Sequence, residues 1–158
     1  RRVMEFFPHP LSRAESDAFF DRIVAEWAES GQGLYAVERR GDGRLIGLTG
    51  LHRAAFEASF TPCIEIGWRF VAEVWGQGYA TEAARAVLHD AFDRLGLPRV
   101  YSFTAAGNLR SERVMRRLGM RNLGGFDHPA LPVGHLLRRH VLYAAARDTF
   151  EGRFSVRP

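Results

Sequence analysis

Two glycines one residue apart, Gly76-Gln77-Gly78, stand directly ahead of a segment with helical spacing. Glycine lets the main chain approach a ligand closely and take up φ > 0. A helix start adds unpaired N–H groups and the positive end of its dipole. Together these form a pyrophosphate seat made from main chain alone; a glycine turn that only caps its helix has the same sequence. Later, Asn108 opens a second helical segment, with Ser111 and Met115 on its face at i+3 and i+7. Arg110, Arg113, Arg116 and Arg117 surround that face, giving a polar, cationic helix start; a plain surface helix with an Asn cap is the alternative. The lone thiol, Cys63, sits at a strand start. A direct-attack thiol needs an electropositive setting, so Cys63 reads as a small buried hydrophobe.

Regular elements must hold these groups. Ser12-Arg13-Ala14-Glu15 is a capping box for a helix over 13–29. Phe19, Phe20, Ile23, Val24 and Trp27 recur at helical spacing within it, which predicts that Phe19, Phe20 and Trp27 belong to the core. Strands follow over 34–40 and 45–56, joined by Gly41-Asp42-Gly43, and a third over 63–71 after Thr61-Pro62. In the third strand Ile64, Ile66, Trp68 and Phe70 face one side, and Cys63, Glu65, Gly67 and Arg69 the other. A helix over 79–95 carries the stripe Ala83, Ala84, Val87, Leu88, Ala91, Phe92 and Leu95, stopped by Gly96. A strand over 99–104, a helix from the Asn108 cap to Leu118, and strands over 120–126 and 136–145 complete the order. Three strands joined by short turns favour an antiparallel meander, and the strand–helix–strand of 63–104 favours a parallel crossover. The prediction is an α/β (α+β) fold with a mixed, mostly antiparallel central sheet flanked by helices.

Of 158 residues, 46% are hydrophobic and 25% charged, which predicts one domain over 1–158 with its own core. All 22 basic residues are Arg. The absence of Lys excludes a Walker-A phosphate loop, a Schiff-base lysine and a lysine general base. One Cys excludes an internal disulfide and a Cys-based zinc knot. The net charge of +4 suits a polyanionic small ligand as well as nucleic acid. A nucleic-acid partner is not expected, because no aromatic stacking platform or reading helix accompanies the arginines. No apolar stretch reaches the roughly 18 residues of a membrane span, so no membrane partner is expected. The lone thiol and the lack of a visible export signal predict a cytoplasmic protein. The chain starts at Arg1 rather than Met, which leaves a preceding piece open.

The stretch Trp75-Gly76-Gln77-Gly78-Tyr79-Ala80-Thr81-Glu82-Ala83, followed by Asn108-Leu109-Arg110-Ser111-Glu112-Arg113-Val114-Met115-Arg116-Arg117-Leu118-Gly119-Met120, resembles the GNAT-type N-acetyltransferases. Within them it is similar to the Rim-like branch of ribosomal-protein-alanine acetyltransferases. The likeness covers roughly residues 1–147, and the order of elements agrees. It implies a GNAT-like sheet splayed at the acetyl-CoA site, acetyl-CoA as cosubstrate, no metal, and an amine acceptor that is a small molecule or a peptide N-terminus. It implies direct attack on the thioester through a tetrahedral intermediate. A non-catalytic acyl-CoA-binding module or sensor on the same fold is the alternative. In the family a strand's main chain pairs with the pantetheine arm, which falls here on Trp68, Arg69, Phe70 and Val71. The pyrophosphate turn falls on Gly76, Gln77, Gly78, Tyr79, Ala80 and Thr81, with Trp75 in place of an opening Arg or Gln. Asn108 corresponds to the Asn that contacts the cofactor near its pantetheine. The family's first strand would precede Arg1 and leave an open sheet edge, and a homodimer through the last strands is compatible with the fold.

Many members place a Tyr at the position of Met115, where its hydroxyl protonates the leaving thiolate. Methionine cannot donate a proton. Ser111, one turn earlier, resembles the serine of the Rim-like branch and is expected to take that role, a back-bonded helix serine being the alternative. The oxyanion donor is expected to be a strand N–H near the end of 63–71. Glu65 is the expected base, acting through a water, with a carboxylate paired to Arg69 or another strand neighbour as the alternative. His52 is a second candidate base, with a satisfied or exposed imidazole as the alternative. Asp127-His128-Pro129 falls in a loop where this fold lines the acceptor pocket; an Asx-type turn before proline is the other reading.

Overall fold

Ser12 starts α1 (Arg13–Ser30): its hydroxyl accepts from the Glu15 N–H at 3.3 Å, and the Glu15 carboxylate accepts from the Ser12 N–H at 2.8 Å. Gly31, at φ 64°, ends it. The computed structural model describes residues 2–151; residues 1 and 152–158 of the expected domain lie outside the described residues. A meander follows, β1 (Leu34–Glu38), β2 (Leu45–Ala54) and β3 (Cys63–Phe70), then α2 (Tyr79–Asp93) and β4 (Arg99–Ala105). Next come α3 (Leu109–Arg117), β5 (Arg121–Asp127), β6 (Arg139–Ala146) and α4 (Arg147–Glu151). The sheet is six-stranded in the order β1-β2-β3-β4-β6-β5, and only β3 and β4 run parallel. The mixed, mostly antiparallel sheet flanked by helices is therefore present. Its β1 edge pairs with β2 alone among the described residues.

The core lies on one face of this sheet. Ala84, Val87, Leu88, Ala91 and Phe92 of α2 recur at i, i+3, i+4, i+7 and i+8 and are buried against Ile66, Val100 and Tyr143. Met115 and Leu118 of the α3 segment complete the same cluster. A polar pin crosses it: the Tyr143 hydroxyl donates to Glu112 Oε1 at 2.7 Å and accepts from Arg116 Nε and Asn122 Nδ2, both at 3.1 Å. That pin ties α3 to β6 and β5.

The first helix departs from the sequence expectation. No residue of α1 is buried, and Phe20 is 64% exposed. Phe19 and Ile23 are half-buried and face a cavity. Trp27 is half-buried and pinned to β1, its indole donating to the Leu34 carbonyl at 3.0 Å and meeting the Tyr35 ring edge-on at 4.8 Å. The reason is what lies beneath. Between the stripe and the sheet surface, where His52, Glu65 and Arg69 stand with Leu34 and Leu48, lies that cavity rather than a packed core.

Packing therefore differs sharply between the two helices. Leu88→Ala should cost about 2–5 kcal/mol, whereas Phe20→Ala should stay within about 0.5 kcal/mol. Urea denaturation of both variants checks this; equal losses would place Phe20 in a packed core.

Candidate active site

Register builds the site. His52 lies directly opposite Glu65, Glu65 beside Tyr101, Phe103 opposite Leu142, and Ala105 opposite His140, which is itself opposite Phe126. Side chains directly across a ladder share a face, as do residues i and i+2 along a strand. His52, Glu65, Phe103, His140 and Phe126 thus stand together on the face turned away from α2. The parallel β3–β4 pair is registered at Glu65 and Tyr101. Beyond that point a cavity of about 810 Å³ reaches between the strands, with Gly67, Trp68 and Arg69 on one wall and Phe103, Thr104 and Ala105 on the other.

Glu65 is only 7% exposed, and His52 Nε2 lies 3.0 Å from its Oε2. Burial raises the Glu65 carboxyl above its ordinary range; the contact with His52, the charge of His52 and the Phe103 N–H pull it back only in part. Burial pulls His52 down, but hydrogen bonding and charge from Glu65, with the charge of Glu26, outweigh it and leave the imidazole raised. The two bases named from sequence are thus one pair. The carboxylate of Glu65 is paired to a strand neighbour, His52, and not to Arg69, which sits four residues and about 13 Å further along the strand. Its guanidinium lies over Phe7 at 4.5 Å and Phe19 at 5.2 Å.

A second cavity of about 230 Å³ opens over the glycine turn. Gly76 (φ 78°) and Gly78 (φ 93°) both hold the left-handed region, and a Cβ on either would meet nothing within 4 Å. No side chain caps the N-terminus of α2. Tyr79, Ala80 and Thr81 line this cavity with Trp68, Arg69 and Phe70. Gln77 does not; its amide donates to the Glu73 carbonyl at 2.9 Å. Nor does Val71, whose N–H is bonded to the Ile46 carbonyl at 3.0 Å. Trp75 closes one side, its indole donating to the Phe70 carbonyl at 2.9 Å beneath the guanidiniums of Arg110 (4.6 Å) and Arg2 (5.3 Å). Arg113 and Arg117 also line it, while Arg116 belongs to the Tyr143 pin.

Asn108 and Ser111 border both cavities. Asn108 Oδ1 accepts from the Ser111 N–H at 3.2 Å and Nδ2 donates to Thr104 Oγ1 at 2.9 Å, so the side chain caps α3 and ties it to β4. The Ser111 hydroxyl makes no hydrogen bond among the described residues, so it is not back-bonded to its helix. Met115, fully buried, lines neither cavity; it lies one turn deeper, where α2 closes over it. Cys63 is buried and its thiol is pushed up to about 11, first by burial and then by the charge of Glu65, which fits an inert hydrophobe. Asp127 is spent on Arg138 (3.5 Å) and Arg139 (3.2 Å), whereas His128 lines the larger cavity. Sequence reading missed His140, which lines that cavity too. Only strand pairing brings it there; it stands in no local motif.

Comparison with known proteins agrees with this geometry. The Acetyltransferase (GNAT) domain family matches residues 1–121. The uncharacterized N-acetyltransferase YnaD of Bacillus subtilis (strain 168) is 31% identical over 147 residues, 92% of this chain and 81% of that protein. The crystal structure of a GNAT-family acetyltransferase from Bacillus anthracis aligns with a TM-score of 0.74 at 26% identity, covering 93% of this chain and 82% of that one. Mycobacterium smegmatis RimJ in complex with CoA-disulfide shares the fold, with a TM-score of 0.70 at 21% identity over 86% of this chain and 63% of that one. The parted parallel strands, the glycine turn ahead of α2 and the capped start of α3 are thus those of a member of the GNAT acetyltransferase family, and this chain is an N-acetyltransferase.

Proposed function

We propose that this chain moves the acetyl group of acetyl-CoA to a primary amine by direct attack, with the Glu65–His52 pair receiving the ammonium proton and Ser111 supplying one to the leaving sulfur. The observation that carries this reading is the meeting of the two cavities. One holds a main-chain seat under positive-φ glycines, the other a buried carboxylate, and Trp68, Arg69, Asn108 and Ser111 line both. The seat fits a diphosphate: open space stands where Cβ atoms would be, uncapped N–H groups face it, and Arg113 and Arg117 flank it. Trp68 to Phe70 pair with β2 along one edge and leave the other toward the gap, where a pantetheine arm can add as a strand.

Glu65 takes the ammonium proton through a water, which frees the nitrogen lone pair to bond to the thioester carbonyl carbon. The carbon–sulfur bond then breaks, the nitrogen's second surplus proton leaves to solvent, and Glu65 releases its own to solvent. Ser111 Oγ gives its proton to the thiolate and regains one from solvent. A desolvated carboxyl with a raised pKa is a stronger base than an ordinary one, and His52 holds it in place. The unbonded Ser111 hydroxyl, with Met115 buried beneath it, also supports the Rim-like branch.

Activity should fall as pH drops through the raised Glu65 pKa. Glu65→Gln should lower kcat at neutral pH by about 10²-fold or more. His52→Ala removes a charge that pulls the Glu65 pKa down, so its acid limb should move to higher pH. Thiol-release rates against pH with an amine panel measure both, and an unchanged Glu65→Gln rate removes Glu65 as the base.

Gly78→Val puts a β-branched residue into a left-handed conformation at about 1–2 kcal/mol; the unliganded turn relieves that strain by relaxing and binding must restore it, a loss of up to roughly 5–30-fold in affinity. Calorimetric titration with coenzyme A should show that loss. Full affinity in the variant would mean the turn is not the diphosphate seat.

A further inference from the structure

The larger cavity has two unlike sides. Toward α1 it is charged, with Arg22, Glu26 and Glu29 at its border. Toward β5 and β6 it is walled by Phe103, His128, His140, Leu131 and Leu137, without a carboxylate. The two imidazoles stand 5.0 Å apart, centroid to centroid. Phe103 lies 6.0 Å from His128 and 6.3 Å from His140, and Phe56 and Phe126 back the same rings. Burial pushes both imidazoles below their ordinary range, so the wall is uncharged at neutral pH. Asp127, the nearest carboxylate in sequence, is occupied by Arg138 and Arg139.

Resting on the acetyl-transfer reading above, we infer that the acceptor is a primary amine carried on an uncharged aromatic or aliphatic body, which lies flat against Phe103, His128 and His140. The nitrogen must reach Glu65 on β3. His52 already fills the β2 side of that carboxylate, so the body continues the other way along the same sheet face, across Phe103 to His140. Aromatic and imidazole rings there offer broad flat contact. A second ammonium on a body lying along that wall would be desolvated away from Glu26 and Glu29, with no anion on the wall to meet it. Polyamines and aminoglycosides are therefore poor acceptors. An arylalkylamine and a peptide N-terminus with an apolar first side chain present the same chemistry, and the assay separates them.

The test uses the full chain with saturating acetyl-CoA and four acceptors: 2-phenylethylamine, a phenylalanyl-glycyl-glycine amide, spermidine and kanamycin. One of the first two should exceed both polycations in kcat/KM by about tenfold or more; which one does so identifies small molecule or peptide as the source. His128→Lys, and separately the milder His140→Gln, should raise the KM of that acceptor and leave the KM of acetyl-CoA unchanged, which a merely destabilised fold would not do. In parallel, the His128 and His140 ring resonances should shift when 2-phenylethylamine or the peptide is added to the protein with coenzyme A, and stay in place with spermidine. Equal or better use of spermidine, or ring resonances that ignore both apolar amines, overturns the inference while leaving acetyl transfer intact. Ring shifts without thiol release from any amine would uphold the apolar wall and overturn the transfer reading instead.

Discussion

Everything in this site follows from the parting of two parallel strands. β3 and β4 are registered at Glu65 and Tyr101, and toward their C-terminal ends a cavity takes the place of further ladder. Main-chain groups there lose their sheet partners, and buried N–H and C=O groups must be paired. An extended ligand arm or water can meet that need. The same gap joins the cavity over the glycine turn to the one that holds the carboxylate, and Ser111 on α3 borders both.

The surroundings keep the gap from closing or drifting. Asn108 caps α3 and bonds to Thr104 on β4, so the helix start moves with the strand below it. Tyr143, Glu112, Arg116 and Asn122 share one hydrogen-bonded pin through the far end of α3. Each polar group in that pin is satisfied, which is what makes such a network rigid rather than costly. Trp75 is held between its bond to the Phe70 carbonyl and two arginines, and anchors the approach to the glycine turn.

Glu65 and His52 form a pair on an otherwise poorly covered sheet face. A buried ion pair adds little to stability and is strongly destabilising when halved. The cavity over that face accounts for α1: a helix spanning about 810 Å³ of open space packs directly on little of the sheet, so its own apolar residues stay half-buried or exposed.

The sequence by itself determined the order of the elements and the glycine turn ahead of α2. The Ser12 capping box, the α2 stripe, the positive-φ glycines and the Asn108 cap are local devices, each encoded within a few consecutive residues, and each stands where the pattern put it. The alternation of β3 likewise put Glu65 on the face opposite Ile64, Ile66, Trp68 and Phe70. Only the tertiary structure decided that His52 is the partner of Glu65, that His128 meets His140, that Met115 is core while Ser111 is free, and that α1 buries nothing. Those facts depend on which strands become neighbours and in what register. A one-residue slip would turn every side chain of a strand to the opposite face, and no local pattern in a single chain specifies its distant partner.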